Sequence, residues 1–129
     1  MIHFVGAGPG AADLITMRGH QLLTQADVII YAGSLVNPEL LQYAKASCSI
    51  YNSASMTLEE VMDVMKQAEE KNQMTVRLHT GDPSLYGAIR EQMDQLDAYN
   101  ITYDVVPGVS SFCGAAAALK AEYTLPNVS

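Results

Sequence analysis

Apolar positions follow two rhythms along this chain: short runs of a few residues, and longer stretches in which they return every three or four residues. The runs are Ile2 to Gly6 and Val28 to Tyr31; Thr75 to His79 and Tyr103 to Val106 follow as further strands, with a weaker one at Ser49 to Tyr51. Their β-branched and aromatic content marks five strands. Between them lie helical stretches. Thr16 is placed to cap a helix through Gln25, with Leu22, Leu23 and Ala26 on its apolar side and Gly19 weakening its middle. Asn37-Pro38-Glu39 starts a second helix, running to about Ala44, with a capping Asn, Pro in the first turn and an acid at the positive dipole end. Thr57-Leu58-Glu59-Glu60 reads as a capping box. It opens a helix whose apolar stripe is Leu58, Val61, Met62, Met65 and Ala68, ending near Lys71-Asn72. A further helix is expected from Leu85 to about Leu96, and Ser110 or Ser111 caps an alanine-rich helix to Lys120. If that last helix packs closely on the sheet, Ala116 has no room for a larger side chain.

Strand and helix alternate throughout, which predicts an α/β fold: a five-stranded, mainly parallel sheet with helices on both faces. Ligands of such sheets bind beyond the carboxyl ends of the strands. The loops expected there read Gly-Ala-Gly-Pro-Gly, Ala-Gly-Ser, Thr-Gly-Asp-Pro and Pro-Gly-Val-Ser-Ser. Glycine lets backbone approach a ligand closely, so these loops suggest a shared crevice, although short βα turns use glycine for their own geometry as well.

The first loop fits the dinucleotide pattern G-x-G-x-x-G/A through Gly6, Gly8 and Ala11. A pyrophosphate needs that loop to open directly into a helix. Here Pro9 deletes an amide donor, the helical pattern waits until about Thr16, and the second strand ends Tyr31-Ala32-Gly33 with no acid for a ribose. A dinucleotide is therefore not expected. A nucleotide-binding oxidoreductase domain and a non-enzymatic α/β binding module stand as the rival readings.

Composition narrows the partners. In 129 residues, 7 Lys and Arg stand against 14 Asp and Glu, a formal charge of −7, and no basic run exists to track a phosphate backbone. Nucleic acid is not an expected partner, whereas Arg18, Arg77, Arg90 or backbone N–H groups could still hold a small anion. With 49% hydrophobic residues the chain can bury a core of its own as one domain. The first residues carry no basic leader and no segment is apolar enough to span a bilayer, so a soluble, cytoplasmic protein without membrane contact is expected. Cys48 and Cys113 lie far apart with no metal-site spacing, which predicts reduced, structural thiols and no metal.

Four stretches occur in order: G-A-G-P-G-A-A-D-L-I-T, A-D-V-I-I-Y-A-G-S-L-V-N, L-H-T-G-D-P-S-L-Y-G-A-I and V-P-G-V-S-S. Together they resemble the tetrapyrrole methylases over the whole chain. The resemblance implies S-adenosyl-L-methionine as cofactor, a precorrin-type tetrapyrrole of cobalamin synthesis as substrate, and a cleft between two unlike α/β domains. Residues 1–120 would be the first domain and 121–129 the start of the join to a second, in a protein that forms a homodimer. An isolated half would expose an apolar face and turn over little.

By the same resemblance Pro9, Thr80, Gly81, Asp82, Leu85, Ser110 and Ser111 lie along the cofactor, while Gly8, Gly10, Asp13 and Tyr86 face the substrate. Other roles stay open for several of them. Asp82, Ser110 and Ser111 are equally suited to capping, Pro9 to a rigid turn, Asp13 to a helix dipole and Tyr86 to a core. A related uroporphyrinogen methylase carries an acid after its second strand, where this chain reads Tyr31-Ala32-Gly33-Ser34, so no catalytic base is implied. His79 is the remaining ionisable group near the loops, or a structural histidine at a strand end; His3 and His20 have no role. The acid arms of such a substrate would seek arginines, for which Arg18 and Arg90 are candidates if they are not simply solvated.

Overall fold

A computed structural model describes residues 1–33, 36–85 and 88–124. Five strands, β1 (Ile2–Gly6), β2 (Val28–Tyr31), β3 (Ser49–Asn52), β4 (Thr75–His79) and β5 (Tyr103–Val106), form one sheet in the order β3-β2-β4-β1-β5. Every neighbouring pair is parallel. The four α-helices are α1 (Met17–Gln25), α2 (Leu58–Glu70), α3 (Arg90–Ala98) and α4 (Ser111–Leu119).

Every residue of the central strands β1 and β4 is buried, so both faces are covered; β4 alternates Val76 and Leu78 on one face with buried Thr75, Arg77 and His79 on the other. On one face Ile2, Phe4, Val28 and Ile30 meet Val61, Met62, Met65 and Ala68 of α2 and Leu96 of α3. On the other, Val5, Ile29, Val76, Leu78 and Val106 pack with Leu23 of α1 and Leu40. The chain starts in the middle, builds β2 and β3 to one side, returns to insert β4 beside β1, and then adds β5 beyond it. That path sets the carboxyl ends of β4, β1 and β5 next to one another, although they lie far apart in sequence.

Local chemistry fixes the helix starts. Thr16 Oγ1 accepts from Gly19 N at 3.0 Å, and the α2 capping box is complete, with Thr57 and Glu60 exchanging backbone-to-side-chain bonds at 3.1 and 3.2 Å. Gly19 is more than a weak point in α1: a Cβ there would stand 3.0 Å from Val5 Cγ1, so the helix lies tight against the sheet. Asp27, just before β2, is held by Lys45 at 2.7 Å and by Met74 N at 2.8 Å, which keeps its carboxyl below the usual carboxylate range.

Two expected helices differ from the sequence reading, and the open cap of a third is decided. The Asn37 segment is a 3₁₀ helix, Pro38–Tyr43, capped as expected by Asn37 Oδ1 accepting from Glu39 N at 3.0 Å. The helix expected from Leu85 begins only at Arg90, because Leu85 N closes a turn onto Asp82 O at 3.1 Å and Ala88 takes a left-handed φ of 51° that no α-helix continues through. Ser110, and not Ser111, caps α4 through a 3.3 Å bond from Cys113 N. No residue of α4 is buried, so the close packing that would crowd Ala116 is absent. Among the described residues no helix is long and apolar enough to cross a membrane.

Candidate functional site

The loops after β1, β4 and β5 meet as bare backbone. Gly8 and Gly81 exchange two main-chain bonds, Gly81 N to Gly8 O at 2.8 Å and Gly8 N to Gly81 O at 3.2 Å. Ala7 N donates to His79 O at 2.6 Å. The first loop thus spends its amides on the neighbouring strand and loop, and after a single 3₁₀ turn at Ala12–Leu14 the helix begins at Met17. A pyrophosphate cradle needs those amides free, which agrees with the dismissal of the dinucleotide pattern.

Gly6, Gly81 and Gly108 touch through their main chains. A Cβ on Gly6 would stand 2.5 Å from Gly81 O and 2.6 Å from Gly108 Cα, and one on Gly108 would stand 2.2 Å from Gly81 O and 2.8 Å from Gly6 Cα. Sequence reasoning did not single out Gly6 as a contact, nor Gly108 or Gly114. Gly114 in α4 faces Pro9 so closely that a Cβ there would overlap the proline ring. The signal was present in the glycine content of each segment, but which glycines touch depends on strand order.

Of the residues expected along a cofactor, Pro9, Gly81, Asp82, Ser110 and Ser111 come together at this junction. A Cβ on Gly81, whose φ is 63°, would lie 3.4 Å from Ser111 N. Asp82 Oδ1 accepts from Ser84 N at 2.8 Å and Oδ2 from Gly108 N at 2.9 Å. Leu85 follows in the same turn, 49% exposed, and Thr80 is half-buried at the end of β4. Asp82 does not cap the helix expected from Leu85, since α3 starts eight residues later, at Arg90.

Of the residues expected to face a substrate, Gly8 belongs to the junction and Gly10 beside it has open space where a Cβ would stand. The Gly10 carbonyl accepts from Asn37 Nδ2 at 2.9 Å, which ties the first loop to the segment after β2. Asp13 lies apart, in a depression of about 260 Å³ with Thr16, Met17, His20, Gln21 and Tyr43. Tyr86 falls outside the described residues.

Of the two readings left open for His79, the structural one holds. It is buried, stacks on Phe4 with centroids 6.1 Å apart, and points to the α2 and α3 side of the sheet. Burial and the neighbouring Arg77 charge push its pKa down to about 3, so the ring is neutral. Arg77 is likewise no anion receptor: it is buried, donating to Gln92 Oε1 at 3.1 Å and Ile30 O at 3.3 Å, and desolvation lowers its pKa to about 10. Arg90 pairs with Asp94 one turn along α3. Arg18 is exposed and lines a depression of about 280 Å³ with Thr16, Val106 and Pro107, at the carboxyl end of β5. Among the described residues no group of His, Cys, Asp or Glu could hold a metal, and both cysteines are free thiols, Cys48 with its pKa raised by burial.

This architecture places the chain in a known class. It belongs to the Tetrapyrrole (Corrin/Porphyrin) Methylases, whose family model matches residues 1–129. It is 58% identical over 125 residues to the cobalt-precorrin-4 C(11)-methyltransferase of Methanocaldococcus jannaschii, covering 97% of this chain and 48% of that protein. The solved structure of a cobalt precorrin-4 methyltransferase superposes with a TM-score of 0.95 at 45% identity, over 99% of this chain and 54% of the other. A uroporphyrin-III C-methyl transferase from Thermus thermophilus, complexed with S-adenosyl homocysteine, gives a TM-score of 0.79 at 30% identity, over 89% of this chain and 51% of that one. The chain spans about half the length of the relatives it matches.

Proposed function

We propose that this chain is the first domain of an S-adenosyl-L-methionine-dependent methyltransferase that methylates cobalt-precorrin-4, or its metal-free counterpart precorrin-4, at carbon 11. The observation that carries this reading is the junction of the β1, β4 and β5 loops. Gly81 and Gly10 leave a ledge that side chains would fill, Ser111 N stands beside it, and Leu85 and Phe112, about half exposed, offer apolar surface to a flat ring. Those features fit an adenosine-bearing donor laid along Pro9, Thr80, Gly81, Asp82, Leu85, Ser110 and Ser111. When bound, S-adenosyl-L-methionine supplies an electrophilic methyl group.

The chain's own part is placement. With His79 neutral and buried and no acid at the end of β2, the loops supply orientation, which by itself accounts for several kcal/mol of a transfer barrier. Gly8, Gly10, Asp13 and Tyr86 are proposed to face the macrocycle, and Arg18 to pair with one of its carboxylate arms. The half-length match and the uncovered apolar α4 support a second domain joined through residues 121–129 that completes the cleft; a cytoplasmic homodimer is part of the same proposal.

Calorimetry on the full-length gene product should show S-adenosylhomocysteine binding with no response to NAD or FMN. Incubation with S-adenosyl-L-methionine and cobalt-precorrin-4 should add one methyl to the macrocycle. A preference for NAD would overturn the reading in favour of an oxidoreductase domain. Donor binding with a methyl delivered to a different tetrapyrrole would keep the class and change the acceptor.

A further inference from the structure

Asp82 is the one charged side chain among the proposed donor contacts, yet its carboxylate is already engaged. Both oxygens accept backbone N–H groups, Ser84 within its own loop at 2.8 Å and Gly108 from the loop after β5 at 2.9 Å. Pro107 has no N–H to offer, so Gly108 supplies the first donor beyond Val106. The partners are 26 residues apart and belong to strands separated in the sheet by β1. Three residues after Gly108, α4 begins at Ser111, whose amide faces Gly81.

Resting on the donor site proposed above, we infer that Asp82 is a positioning residue whose carboxylate clamps the β4 loop to the β5 loop and so sets the ledge before the donor arrives. The β1 loop is tied to the same unit by the Gly8 and Gly81 backbone pair, so three loops hold one shape. A carboxylate suits this place because it is acceptor-only and meets two donors at once. An asparagine of the same size would turn an NH₂ toward one of them. The bonds are charge-assisted, and an ordered site binds its ligand without first paying to order its loops.

The test compares the full-length wild type with Asp82→Asn, reading S-adenosylhomocysteine affinity by calorimetry and backbone exchange by hydrogen–deuterium mass spectrometry. The substitution should weaken S-adenosylhomocysteine by about tenfold or more. It should also speed exchange in the segment holding Gly108 while leaving β1 and β4 as slow as in the wild type. Weaker binding with unchanged exchange at Gly108 would mean that Asp82 touches the ligand itself, and would overturn the inference. Unchanged affinity would overturn it too. If Asp82→Asn does not fold, the wild type alone decides: Gly108 should be protected before S-adenosylhomocysteine is added, and protection that appears only with ligand overturns the clamp. A wild type that binds no S-adenosylhomocysteine removes the donor site and this inference together, whereas equal binding by both proteins removes the inference alone.

Discussion

The helices α2 and α4 are built to opposite rules. Along α2, Glu59, Glu60, Asp63, Lys66, Glu69 and Glu70 face away from a stripe in which Val61, Met62, Met65 and Ala68 are buried. Its sequence, burial and capping box agree, and the helix is finished by its own sheet. In α4 the sequence Ser-Phe-Cys-Gly-Ala-Ala-Ala-Ala-Leu has no charged residue and no polar face, yet nothing in it is buried; Phe112 is 50% and Leu119 76% exposed. A helix apolar all round belongs in an interior. The difference teaches that stability and function are divided within one small unit: α2 holds the sheet together, and α4 presents its first turn to the loop junction.

The sharpest way to break that contrast is Met65→Ala in the 129-residue chain. With Met65 fully buried in the α2 layer, the change should lower unfolding free energy by about 2–5 kcal/mol in urea titrations. A loss below about 1 kcal/mol would mean that α2 is no more essential than α4. Gly114→Ala is smaller in stability and more telling in function. Its methyl would overlap Pro9, and α4, packed on little else, can tilt away, so the expected cost is about 1 kcal/mol with S-adenosylhomocysteine binding weakened about tenfold. Smallest of all is Ala116→Leu, which should move stability by no more than about 0.5 kcal/mol in this chain. In a protein carrying the proposed second domain the same change should cost about 1–3 kcal/mol, because the added side chain would then be crowded. Equal effects in both would put the covering surface elsewhere.

All five strands and the full extent of α2 were legible because each rests on a local pattern: β-branched runs ended by turn residues, or a stripe with a capping box. The late start of α3 was not, since Ser-Leu-Tyr-Gly-Ala-Ile carries apolar spacing compatible with a helix while Ala88 adopts a left-handed conformation that composition does not announce. The loops of the site were readable as glycine-rich and adjacent to strand ends. Their mutual contacts were not, because Gly6 meets Gly81 and Gly108 only once β4 is inserted beside β1 and β5 is added beyond it. His79 shows the same limit from the other side. Its place in the sequence puts it one residue from Thr80, but strand alternation turns its ring away from the loops and into the layer beneath α2 and α3.

The meeting of Gly6, Gly81 and Gly108 also bears on how this corner can vary. At Gly6 and Gly108 a methyl group would run into main-chain atoms, and no change of a neighbouring side chain makes room against a peptide backbone. Compensation would have to shift a whole strand. A randomised library at positions 6 and 108, selected for folding alone, should therefore return glycine at both, whatever other substitutions it carries.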